Sequence, residues 1–222
     1  MGTGAVGGRG LPPPHPDPLP PKGRRGRASD GDRAPPMPAD IAALCGGGAP
    51  VWVFAYGSLL WESEVLDVRA EEALLRGYHR SFCLYSYDYR GTPENPGLTL
   101  GLDRGGSCRG AALRLSADVL DNIWQREMSG RPVYAARALR VKTAKGARQA
   151  LAFTALRNCP DYAGRLPLDG AARIILGAAG RRGSCREYFE NTLRHLDRLG
   201  LVDLPLRRLA ERVRALAEDD GI

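Results

Sequence analysis
Apolar positions cluster at Val51, Val53 and Phe54 and then give way to Tyr56, Gly57, Ser58 and Leu59. This predicts a buried strand that stops at a glycine turn, with a helix-like segment soon after. Residues 63–72 are polar and read as a connection. From 73 to 89 the pattern alternates and predicts one or two strands, with Phe82, Leu84 and Ser86 on one face and Cys83, Tyr85, Tyr87 and Tyr89 on the other. A turn-rich loop follows over 90–97. Residues 98–103 and 108–115 then predict two strands joined as a hairpin at Arg104, Gly105, Gly106 and Ser107.

After Leu115 the period changes. Ser116 is a suitable N-cap and Asp118 a favourable first-turn acid for a helix over 117–128. Its apolar stripe runs Leu120, Ile123, Trp124, and the next position of that series is Glu127. Residues 133–143 and 149–156 predict two further strands about a turn at Ala144, Lys145 and Gly146. A structured loop over 158–167 has Tyr162 and Gly164 placed to reach a pocket. Three helices close the chain: 168–178, a second opened by the capping box of Ser184 and Glu187 and closing near Gly200, and a third over 204–216. About six strands around one helix, with three helices trailing, predict an α+β domain. Its centre is a small curved sheet or β-barrel flanked by helices, with a helical C-terminal third.

Composition divides the chain near residue 50. Before Val51 lie 11 of the 17 prolines and 11 of the 28 glycines, so residues 1–49 are expected to form a disordered tail and residues 50–222 the folded domain. Met37, at the edge of that tail, is a candidate start of translation. The stretch lacks the apolar core of a signal peptide, and its prolines and acids argue against a transit peptide, so a cytoplasmic location is expected. The net charge of +7 comes from arginines interspersed with acids, as on a solvated face, and it suits a small anionic substrate. Five cysteines without a C-x-x-C pair indicate neither a zinc site nor a disulfide framework. Of three histidines, His15 lies in the tail, which leaves His79 and His195 to supply any imidazole chemistry.

Two features carry candidate chemistry. Where the first strand ends, successive amides from Tyr56 to Leu59 lose their ladder partners and can converge on a polarised oxygen, although a glycine turn of this kind is more often only a turn. Glu127 places a carboxylate on a buried stripe, where desolvation favours the neutral form and suits it to proton transfer. The alternative is an ordinary ion pair with Arg126 or Arg131 at a solvated rim.

Taken in order, Phe54 to Trp61, Arg76 to Arg80, Leu102 to Cys108, Arg126-Glu127-Met128 and Tyr162-Ala163-Gly164 resemble the ChaC family of γ-glutamylcyclotransferases, its glutathione-specific branch. The resemblance spans about 51–213. It implies a small β-barrel with surrounding helices, a cytosolic location, no metal and no organic cofactor. It further implies substrate on Phe54, Ala55, Tyr56, Gly57, Ser58 and Leu59 and an essential carboxylate at Glu127. The expected reaction converts glutathione to 5-oxoproline and cysteinylglycine. Tyr134 and Tyr162 are further candidate contacts, and Arg80 or Arg131 is a candidate for the glutamyl α-carboxylate. Other γ-glutamyl compounds are the alternative substrates. A reading from another class is an RNA-binding module that stacks bases on Tyr85, Tyr87 and Tyr89. Neither nucleic acid, membrane nor an obligate protein partner is expected on the enzyme reading.

Overall fold
A computed structural model describes residues 33–46, 49–60, 68–219 and 221. Five strands, β1 (Val51–Ala55), β2 (Arg69–Ser86), β3 (Gly97–Leu115), β4 (Tyr134–Thr143) and β5 (Gly146–Ala155), close a barrel in the order β1-β3-β2-β4-β5. Neighbours are antiparallel except β5 and β1, which meet in parallel at Val53 and Leu151 and shut the barrel. Helix α1 (Ala39–Leu44) precedes it and α2 (Ala117–Met128) joins β3 to β4. Helices α3 (Leu168–Gly177), α4 (Cys185–Arg198) and α5 (Leu204–Asp219) follow, with the short pair β6 (Ala179–Gly180) and β7 (Gly183–Ser184) between α3 and α4. This is the expected α+β barrel with a helical C-terminal third.

The hairpin expected at residues 104–107 does not form. β3 runs straight through it as 19 residues, paired along its length with the 18 residues of β2. The register slips between Arg76 and Tyr78, where Gly77, Gly105 and Gly106 all adopt positive φ (83°, 106° and 65°). Glycines that look local to a turn here absorb a bulge between two long strands, because β2 offers partners on both sides of it. The same length corrects the tyrosine platform. β2 ends at Ser86, so Tyr87 and Tyr89 lie past the strand. Arg131 stands over the Tyr87 ring, and Arg181 and Arg182 over Tyr89, leaving no row of open faces for bases.

Part of the chain ahead of residue 50 packs on the barrel. Residues 1–32, where most of the expected tail falls, lie outside the described residues, but 33–46 form part of the fold. Ile41 of α1 is fully buried, with Met37 and Leu44 packed beside it. The spacing 37, 41, 44 is a helical stripe that the proline and glycine average conceals. Ahead of it, the Trp124 indole Nε1 donates to the Pro35 carbonyl at 2.8 Å and the Ala34 amide donates to Gln125 Oε1 at 3.3 Å. The segment therefore straps α2.

The C-terminal helices bury the faces their periodicity marks. Phe189, Thr192 and Leu196 of α4 and Leu206, Leu209, Val213 and Leu216 of α5 turn inward. Ser184 caps α4 by accepting from the Glu187 amide at 3.0 Å. No helix among the described residues is long and apolar enough to cross a membrane. Ile41→Ala is expected to lower unfolding free energy by about 2–5 kcal/mol. A loss below about 0.5 kcal/mol in urea titration, the range of exposed substitutions, would return 33–46 to the tail.

Candidate active site
β1 ends at Ala55 and the chain turns. Tyr56 sends its side chain inward, its hydroxyl donating to the Phe153 carbonyl of β5 at 2.8 Å. Its own carbonyl accepts from Arg80 Nε, and the Gly57 carbonyl accepts from the Leu60 amide at 2.8 Å. Gly57 also sits close to the core, since a Cβ there would stand 3.1 Å from Leu100 Cδ2, a tight contact. Phe54 and Ala55, expected among the substrate contacts, are fully buried and laddered to Ala112 and Ala111. They support the turn from behind. Tyr56 and Leu59 are buried too, and Ser58 is the half-buried member.

Glu127 occupies the place on α2 that the stripe assigns it, one turn beyond Ile123 and Trp124, with its side chain 17% exposed. The carboxylate is not isolated among apolar groups, as the stripe alone suggests. Arg126 donates to its Oε1 from Nε at 2.9 Å and Nη2 at 2.7 Å. Three tyrosine hydroxyls feel the charge of this acid. Burial pushes Tyr56 well above the ordinary phenol range, with Tyr134 and then Glu127 adding to the rise, and burial pushes Tyr134 well above it too, with Glu127 the next cause. Burial likewise pushes Tyr188 up to about 12, partly opposed by the Leu100 amide and Arg90, with Glu127 adding to the rise. Tyr134 donates to the Leu100 carbonyl at 3.1 Å, and Tyr188 lies against the Leu100 amide. Leu100 is thus the meeting point of Gly57, Tyr134 and Tyr188. Tyr134 and Tyr188 are both half-buried.

Tyr188 escaped the sequence reading. It reaches the site from α4 under the Arg90 guanidinium, 5.0 Å from its ring centre, an approach made only by tertiary packing.

The remaining candidates fall elsewhere. The Tyr162 hydroxyl donates to Asp103 Oδ2 at 2.8 Å, and Arg157 Nε donates to Oδ1 at 2.7 Å. Burial pushes the Asp103 carboxyl up, but these donors and the Arg104 amide outweigh it and hold it below its usual range. With the Ala163 amide on the Cys83 carbonyl and the Tyr85 amide on that of Asp161, this cluster zips the loop over 158–166 onto β2. Arg131 pairs with Asp161 at 2.8 Å as part of the same closure. Arg80, proposed above for an α-carboxylate, is 2% exposed and commits its donors to Tyr56, Asp203 and Arg109. It holds the turn from inside and is not a ligand contact.

Residues 51–216 match the family described as ChaC-like protein. The chain belongs to this family. It is 31% identical to the glutathione-specific gamma-glutamylcyclotransferase of Escherichia coli K12, over 86% of this chain and 85% of that one. It is 29% identical to gamma-glutamylcyclotransferase 2-3 of Arabidopsis thaliana, over 76% and 91%. A solved structure of a yeast γ-glutamyl cyclotransferase specific to glutathione superposes with a TM-score of 0.67 at 19% identity, over 75% of this chain and 96% of that one, and shows the shared fold. The ChaC match begins at Val51, so the strap over 33–46 lies outside it.

A hollow of about 380 Å³ elsewhere, lined by Leu74, Arg76, Arg140 and Lys142 among others, contains neither Glu127 nor residues 54–59. The fold also buries four thiols, Cys83, Cys108, Cys159 and Cys185, and shifts three of them. Burial pushes Cys83 up to about 12, with Asp103 adding to the rise, and Cys108 and Cys185 up to about 11. Because the folded values exceed the unfolded one, their contribution to stability is complete below pH 9.0 and lost as pH rises toward 11. We expect unfolding free energy to fall above pH 9 with a slope approaching about 1.4 kcal/mol per pH unit for each thiol. A flat profile between pH 8 and pH 11 would contradict the burial of these groups as ionisable thiols.

Proposed function
We propose that the protein is a γ-glutamylcyclotransferase that degrades glutathione to 5-oxoproline and cysteinylglycine in the cytoplasm. The carrying observation is Glu127, a part-buried carboxylate whose charge is felt at the hydroxyls of Tyr56, Tyr134 and Tyr188, in a chain of the ChaC family whose Tyr56-Gly57 turn has both of those carbonyls bonded internally. The names of the relatives support the choice of substrate. Five free thiols fit a reducing compartment.

In glutathione the nucleophile and electrophile share one molecule. The γ-glutamyl α-amine attacks its own γ-carbonyl, a C–N bond closes the five-membered ring, and the amide C–N bond to cysteine breaks. No enzyme nucleophile is required, so the protein's tasks are to hold the folded conformer and to handle charge. The attacking nitrogen sheds two protons, one before attack and one as the ring closes, and Glu127 accepts each in turn and passes it to the departing cysteinyl nitrogen, which leaves as an ammonium. The oxygen of the attacked carbonyl gathers negative charge and is met by the amides of Gly57 and Ser58, where one lost donor costs about 3 kcal/mol of transition-state stabilisation. Tyr134 and Tyr188 line the glutamyl end beside Glu127. Tyr162 fixes the loop through Asp103 instead of contacting this end.

The purified protein is to be mixed with glutathione, γ-glutamyl-alanine and γ-glutamyl-lysine, and 5-oxoproline quantified from each. Release from glutathione above the other two is expected. Preference for another γ-glutamyl compound would replace the substrate, and salt-sensitive binding of single-stranded RNA with no 5-oxoproline at all would overturn the enzyme reading. Glu127→Gln is expected to keep the fold and glutathione binding while lowering kcat by about 10²- to 10⁴-fold. Turnover within twofold of wild type would remove Glu127 from the proton path.

A further inference from the structure
The Arg80 guanidinium is almost fully enclosed and has three partners from three parts of the chain. Nε donates to the Tyr56 carbonyl, Nη1 to Asp203 Oδ2 at 2.7 Å, and Nη2 to the Arg109 carbonyl at 2.7 Å. Asp203 lies 123 residues away and is itself fixed, since its Oδ1 accepts from the Leu206 amide at 3.2 Å at the start of α5. A planar fork with each of its three nitrogens bonded is held in one orientation.

That orientation governs a peptide plane. In a trans peptide the carbonyl of one residue and the N–H of the next point in opposite directions, and no peptide bond here is cis. Drawing the Tyr56 carbonyl inward to Arg80 therefore turns the Gly57 N–H the other way. The Leu60 amide on the Gly57 carbonyl fixes the following plane and with it the Ser58 N–H. Gly57 abuts the side chain of Leu100, whose backbone bonds the Tyr134 and Tyr188 hydroxyls, and both hydroxyls feel the charge of Glu127.

We propose that Arg80, oriented by Asp203, is a positioning residue that aims the Gly57 amide at the oxygen of the attacked γ-carbonyl, making α5 part of the catalytic geometry. The proposal rests on the cyclotransferase reading above. Its charge helps as well as its shape. A cation behind the Tyr56 carbonyl polarises the peptide and makes the Gly57 N–H a stronger donor. The effect concerns the transition state, because the oxygen carries full negative charge only there, so kcat is the quantity it moves.

Arg80→Lys keeps a cation but offers no fork to three acceptors, and Asp203→Asn keeps the helix cap and the side-chain volume while removing the charge that orients Arg80. Steady-state release of 5-oxoproline from glutathione is measured for wild type and both variants. Thermal unfolding is measured alongside, and ¹⁵N shifts of Gly57 and Ser58 are recorded with and without 5-oxoproline. We expect kcat to fall on the order of 10²-fold in Arg80→Lys and about tenfold in Asp203→Asn. KM should stay within about threefold, in protein that remains folded at the assay temperature, and the response of the Gly57 amide to 5-oxoproline should shrink in both. A folded Arg80→Lys protein with wild-type kcat would overturn the proposal, as would a loss of activity that tracks only the unfolded fraction with the Gly57 response unchanged. A wild-type protein that releases no 5-oxoproline would instead defeat the underlying reading and take this proposal with it.

Discussion
One buried guanidinium ties three distant stretches of the chain to a single point. Arg80 projects from β2 and meets the Tyr56 carbonyl after β1, the Arg109 carbonyl of β3 and the Asp203 carboxylate before α5. Burying such a charge is costly without full pairing, and truncating either partner of such a pair typically costs about 3–5 kcal/mol. That constraint explains why the first strand, both long strands and the last helix must be docked together for the turn to be formed at all. It also relates stability to function. The group that satisfies the Tyr56 carbonyl leaves the Gly57 amide to face the other way.

The acid on α2 is held by different means. Its helix is seated through Leu120, Ile123 and Trp124, and the strap over 33–46 grips the same helix from outside through Pro35 and Ala34. Arg126 lies along the carboxylate itself. The turn of Tyr56 and Gly57 and the Glu127 carboxylate are thus two separately braced halves. A reaction that is intramolecular in its substrate needs no second reactant brought in, so holding the reactive conformer and handling charge are the tasks left to the protein. The zipped loop of Asp103, Arg157 and Tyr162 adds rigidity to the neighbouring wall.

Legibility in the sequence followed the range of the interaction. Period and caps are local, so α2, the Ser184 cap and the three C-terminal helices could be read directly, whereas the stripe left open whether Glu127 is isolated or paired, and it is paired with Arg126. The glycines at 105 and 106 could not, because a bulge and a turn look alike until the opposite strand is known. Averaging over 49 residues hid the Met37, Ile41, Leu44 stripe. Tyr162 and Arg80 were chosen as ligand contacts because polar groups near motifs invite that reading, yet both are spent on internal partners 59 and 123 residues away. Tyr188 was missed for the converse reason, since nothing near it in sequence marks the place where α4 delivers it.

The two braced halves are meant to act on one bound molecule, and a crystal structure of the Glu127→Gln protein with glutathione tests this most directly. The γ-carbonyl oxygen should lie about 3 Å from the Gly57 or Ser58 amide, with the α-amine within hydrogen-bonding reach of side chain 127. Glutathione seated instead in the hollow of Arg76, Arg140 and Lys142, or bound with its γ-carbonyl turned away from Gly57 and Ser58, would contradict it.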